Sequence, residues 1–187
     1  MLKRIRGWNR SLALFASLSA GMLAGGAVFG LEGSPCSFLD DLGGLPGAGW
    51  QCYLTLLVGS ASFVTLSFLM GFCALSAPFE YLLVAFKGLG AGAFVRLAYS
   101  QGFGSGSLFA TLFQAAFLAA VSCLPLVMQA DSAIQMSVRY LMLSVTDENC
   151  IGLAREFRLY ILGFFKHLAV CAVLSAAGCM LLRLYAG

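Results

Sequence analysis

Charged side chains are missing from three long stretches of this chain, and those gaps constrain its fold more than any motif does. Residues 11–31, 42–79 and 97–130 contain no Asp, Glu, Lys or Arg. A helix needs about 20 mostly apolar residues to cross the hydrocarbon core of a bilayer, and each gap is long enough to supply them. Of the 187 residues, 60% are hydrophobic and 10% are charged, whereas an ordinary soluble domain is about 25% charged. With a mean hydropathy of +0.92, a water-soluble fold would have to hide more apolar surface than a chain of this length can bury. Eleven basic and eight acidic residues leave a net charge of only +3, and the basic ones form no stripe that could follow phosphates. Nucleic-acid binding is excluded on that ground.

The gaps and the breakers between them predict an all-α, polytopic integral membrane protein with about five transmembrane helices in a compact bundle. Residues 1–187 make a single membrane domain in this reading. The first span covers about 11–30, preceded by Lys3, Arg4, Arg6 and Arg10. The Gly- and Pro-rich loop 31–50 then carries Glu32, Asp40 and Asp41. A second span, about 51–74, runs into Ser76-Ala77-Pro78, where Pro78 lacks an N–H and biases Ala77 away from helical angles. The third span, about 79–99, holds Glu80, Lys87 and Arg96, and the Gly102–Gly106 run predicts the next turn. A fourth span covers about 107–129. Residues 130–158 collect seven charged side chains and read as a solvated cytoplasmic segment, with a short interfacial helix near Val138–Leu143. Thr146 or Asp147 caps a last helix that becomes the fifth span at about 159–182.

Basic residues near the span ends orient the bundle. Lys3, Arg4, Arg6, Arg10, Arg139, Arg155 and Arg158 fall on one side if the N-terminus is cytoplasmic, which places the 31–50 loop and the C-terminus outside. A cleaved signal peptide is the rival reading of residues 1–31; four later spans favour a retained first helix.

Within the spans, Lys87 stands out. It lies two turns beyond Glu80, about 10 Å, and a charge at the bilayer centre costs about 2.5–3.5 kcal/mol on insertion scales. It faces protein or water, or it snorkels to headgroups. Glu80, seven residues earlier, shares nearly the same helix face, so the two line one polar groove. Gly88 and Gly92 are four apart, as are Gly21/Gly25 and Gly26/Gly30, which predicts close helix packing in a compact bundle or in homo-association. The Gly88-Leu89-Gly90-Ala91-Gly92 run fits no phosphate-loop spacing. His167, the only histidine, reads as a polar group at the interface, because one histidine without carboxylate partners makes no metal site. Seven cysteines include no CxxC pair; Cys73, Cys123, Cys171 and Cys179 lie in apolar segments as small hydrophobes. Cys36 and Cys52 flank the loop, where a bridge between them stays open. No catalytic set, metal site or cofactor motif is expected, so the chain reads as not an enzyme.

The block Leu69-Met70-Gly71-Phe72 to Pro78, followed by Phe86-Lys87-Gly88-Leu89-Gly90-Ala91-Gly92, resembles the stage II sporulation protein M family. Tyr99-Ser100-Gln101-Gly102-Phe103 occupies the position of that family's Tyr-Gly-type turn, and Arg155-Glu156-Phe157 to Tyr160 resembles its amphipathic stretch before the last helix. The likeness rests on Gly71, Pro78, Lys87, Gly88 and Gly92, and spans nearly the whole chain in architecture; the Gly-rich outer loop departs from the pattern. The resemblance implies a non-enzymatic scaffold in a bacterial cell membrane. Its implied partners are membrane-anchored peptidoglycan hydrolases, stage II sporulation proteins D and P, gathered at the septum during engulfment. The alternative is a transporter or permease subunit in which Lys87 and Glu80 belong to a substrate or ion path.

Overall fold

The structure, a computed structural model, describes residues 2–31, 49–102, 108–146 and 153–186. These form helices and, among the described residues, no strand: α1 (Leu2–Leu31), α2 (Gly49–Met70), α3 (Ala77–Gly102), α4 (Leu108–Thr146) and α5 (Leu153–Ala186). Each contains a stretch long and apolar enough to cross a membrane: Arg10–Val28, Tyr53–Met70, Ala77–Tyr99, Thr111–Met142 and Arg155–Leu181. The chain is an all-α, multi-pass membrane protein. The loop 31–50, apart from its two ends, and any pairing of Cys36 with Cys52 lie outside the described residues.

Polarity is inverted relative to a water-soluble bundle. Leu23, Leu82, Phe86, Phe109 and Val173 are exposed, while Ser60, Ser67, Glu80, Gln129, His167 and Ser175 are buried. Lipid accepts the first set as readily as a protein core would, and polar groups inside a membrane turn toward one another. One apolar core joins all five helices, through Leu14 of α1, Val64 of α2, Val84 of α3, Leu126, Val127, Ala130 and Ile134 of α4, and Cys171 of α5.

Three boundaries differ from the sequence expectation. The chain leaves helix after Met70, four residues early, and a turn over 71–76 leads into α3 at Ala77 with Pro78 in its first turn. Proline is tolerated there because the first helical N–H groups have no intrahelical acceptor. At the other end, α3 remains helical through Gly102, so Tyr99–Gly102 is helix rather than turn. The largest difference is α4, which runs unbroken from Leu108 to Thr146, through Pro125 and the segment expected to be solvated. Its 39 residues extend about 58 Å at 1.5 Å per residue, far beyond a hydrocarbon core of about 30 Å. Its second half is held by its own buried face, since Ala130, Ala133, Ile134 and Ser137 are buried, and by an ion pair from Arg139 to Glu156 on α5. No separate interfacial helix exists at 138–143. The α5 helix begins at Leu153, and Asp147 and Glu148 lie outside the described residues.

Candidate functional site

Buried polar side chains gather where α2 turns into α3. The last carbonyls of a helix lack intrahelical donors, and the turn satisfies most of them locally: Gly71 N donates to Ser67 O at 3.1 Å, Phe72 N to Leu69 O at 3.2 Å and Cys73 N to Met70 O at 2.9 Å. The carbonyl of Phe68 is capped from another helix, by the hydroxyl of Tyr160 at 2.8 Å. Stacking of Tyr160 on Phe68, with centroids 5.0 Å apart, holds the ring in place. Ser137 of α4 caps the turn carbonyl of Ala74 at 3.0 Å. Gly71 is required here, because a Cβ would collide with the Tyr160 hydroxyl and approach Ala133 Cα at 3.2 Å.

From Tyr160 a buried polar chain continues across the bundle. Its single O–H is committed to Phe68, so its oxygen accepts from Gln129 Nε2 at 3.3 Å. That fixes the amide, leaving Gln129 Oε1 to accept from His167 Nδ1, 2.8 Å away. His167 is therefore inside the bundle rather than at the interface, 6% exposed, with an amide on α4 as its partner. This chain of hydrogen bonds fastens α2, α4 and α5 together.

Glu80 lies in the first turn of α3 and is fully buried. Ser67 Oγ donates to its Oε2 at 2.8 Å. The expected groove shared with Lys87 is absent, because Glu80 is sealed inside the bundle. Lys87 is partly buried and its Nζ sits 4.6 Å from the centroid of the Phe63 ring on α2, a cation–π contact. Its ammonium faces the bundle instead of reaching back to headgroups. The thiols of Cys123 and Cys171 are buried; Cys73 is exposed in the turn.

The glycine pairs meet each other. A Cβ on Gly21 or Gly25 of α1 would strike the carbonyl oxygens of Ala85 and Leu89, and one on Gly88 or Gly92 of α3 those of Leu18 and Met22. Residue numbers rise together along both helices, so α1 and α3 run parallel, in backbone contact over two turns. Ser17 Oγ donates to Tyr81 O at 2.7 Å at one end of the seam. Gly90, between the two interfacial glycines, faces open space. Beside this clasp lies an open apolar groove of about 590 Å³, with Ala20, Gly21 and Ala24 on one wall and Phe79, Leu82 and Phe86 on the other.

Of the residues singled out from sequence, Pro78 and Glu80 start α3, Gly88 and Gly92 close on α1, and Lys87 points inward between them. Sequence reasoning missed Ser67, Gln129 and Tyr160. The available signal was a long polar side chain, Gln129, at the end of a charge-free run. Among the described residues no group of three His, Cys, Asp or Glu side chains comes together as metal ligands. The chain matches no protein-family model, no curated protein and no solved structure.

Proposed function

We propose that this chain is a non-enzymatic membrane scaffold that holds the transmembrane anchors of partner proteins. The observation that carries the reading is the apolar groove beside the α1–α3 clasp. The exposed Ala20 and Ala24 let another helix approach closely, and Phe79, Leu82 and Phe86 give it a ridged wall to pack against. In this reading the N-terminus and the extension of α4 face the cytoplasm, following the distribution of basic residues. The resemblance to the stage II sporulation protein M family supplies the partners: membrane-anchored wall hydrolases of types D and P, concentrated at a septum.

A photo-crosslinking residue placed at Leu82 in native membranes tests this. The expected product is a membrane-anchored protein, and Ala24→Phe, which fills the groove, is expected to abolish it without affecting insertion. Adducts confined to lipid or to the chain itself would refute the reading. Transport is favoured only by the inward-facing ammonium of Lys87. Lys87→Met separates the two readings: loss of solute uptake with the crosslinked partner retained selects transport.

A further inference from the structure

Two buried oxygen atoms at the start of α3 have no partner. Ser67 satisfies Glu80 Oε2, but Oε1 meets no donor, and the hydroxyl of the fully buried Ser76 has no partner either. Ser76 directly precedes α3, and its carbonyl accepts from Glu80 N at 2.9 Å. Four residues apart, the two lie on one face, and because helical side chains lean toward the N-terminus, Glu80 reaches back over the turn that contains Ser76. A serine in this position ordinarily accepts from the second or third helical N–H. The second here is Pro78, which has none.

No basic side chain pairs with Glu80 among the described residues; Lys87 is two turns further along α3, over Phe63. The positive end of the α3 dipole and the Ser67 hydroxyl offset part of a negative charge at this position. A carboxyl group sealed inside a membrane bundle is neutralised either by a proton or by a counter-ion. We propose that Glu80 Oε1 and Ser76 Oγ hold a small monovalent cation, sodium, reached from the exposed turn residues Cys73, Ala74 and Leu75. An all-oxygen donor set selects a hard cation. A single carboxylate matches a single positive charge, whereas a divalent ion would leave net charge within the membrane. Bound there, the ion ties Glu80, already bonded to Ser67 of α2, to the turn that precedes α3.

The test is thermal unfolding of the purified full chain in nanodiscs, in sodium chloride and in choline chloride or potassium chloride at equal ionic strength. The wild-type midpoint is expected to rise by about 3–6 °C once sodium exceeds its dissociation constant tenfold. Glu80→Gln, which still accepts from Ser67, and Ser76→Ala are expected to abolish that rise. If Glu80→Gln does not fold, Ser76→Ala decides. A wild-type midpoint indifferent to sodium means water alone fills the niche, and a midpoint that follows pH but not sodium assigns it to a proton. Either result overturns the proposal, as does a sodium response that survives in both variants.

Discussion

Alanine at Gly92 and alanine at Gly90 add the same methyl group two residues apart on α3, with opposite expected outcomes. At Gly92 a Cβ would lie 2.7 Å from the carbonyl carbon of Met22 and 2.8 Å from its Cα, whereas ordinary contact begins at 3.4 Å. The carbonyl oxygen of Met22 lies closer still, so α1 must retreat by more than the 3.4 − 2.7 = 0.7 Å that the carbonyl carbon alone requires. No rotamer change relieves it, because both colliding groups are fixed to backbone. Overpacking of this kind costs about 1–3 kcal/mol. The retreat also strains the Ser17–Tyr81 hydrogen bond at the end of the seam, a contribution of about 1 kcal/mol. Alanine's better helix propensity returns at most about 1 kcal/mol. Gly92→Ala is thus expected to destabilise by about 1–3 kcal/mol. Gly90 has nothing within 4 Å of its added Cβ, so Gly90→Ala gains up to about 1 kcal/mol. Unfolding in mixed micelles by titration with a denaturing detergent, followed by circular dichroism, measures both. If the two variants agree within about 0.5 kcal/mol, the resolution expected for independent sites, the backbone contact between α1 and α3 is not as close as described and the reasoning fails.

Two further outcomes follow from the same coordinates. Tyr160→Phe leaves the Phe68 carbonyl and one Gln129 N–H without partners, a loss of about 1–3 kcal/mol. Gly71→Ala, which collides with the missing hydroxyl, is expected to cost less in that background than alone, so a fully additive double variant would contradict the packing at this turn. Arg139→Ala removes an ion pair whose side chains are 45% and 38% exposed. A loss of at most about 1 kcal/mol, shrinking with added salt, is expected in the same unfolding measurement.

Two of the spans, α3 with Glu80, Lys87 and Arg96 and α5 with Lys166, were read from their apolar content and the breakers around them. The other three were legible because the membrane favours charge-free runs of about 20 residues, which charge placement reports directly. The extension of α4 was misread for the same reason. Arg139 is exposed, but solvent does not end a helix, and Asp131 is only partly exposed, with its Oδ1 buried. A second signal was present, since Ala130, Ala133, Ile134 and Ser137 repeat at helical spacing and are all buried. Local side-chain bonds from Gln135 to Asp131 and from Ser132 to the Met128 carbonyl also stay within the helix. Spacing identified Gly21/Gly25 and Gly88/Gly92 as packing faces. That each would be the other's partner depends on two helices 64 residues apart, taking the Ser17–Tyr81 separation, and no local pattern encodes it. His167 was set aside because carboxylates were sought near it, whereas its partner, Gln129, is 38 residues away on another helix.

The bundle is fastened by two different means, and Glu80 stands between them. Parallel α1 and α3 are held by close backbone approach, which favours small residues and tolerates no added methyl group. Helices α2, α4 and α5 are held by directional bonds through Tyr160, Gln129 and His167, in surroundings where an unpaired polar group is costly. Between these units α2 and α3 touch little; Phe63 stacks on Phe86 at 6.3 Å, Lys87 lies over Phe63, and Ser67 bonds to Glu80. The half-satisfied carboxylate therefore sits on a side-chain hydrogen bond across a thinly packed seam. Anything that occupies its second oxygen acts on the α2–α3 turn, whereas the α1–α3 unit, which carries the groove, is joined to the rest mainly by the packing of α3 on α4. Groove substitutions such as Ala24→Phe test what the bundle holds, and Glu80 substitutions test how rigidly it holds it; the two sets are expected to be separable, since no groove-lining residue takes part in the buried polar chain.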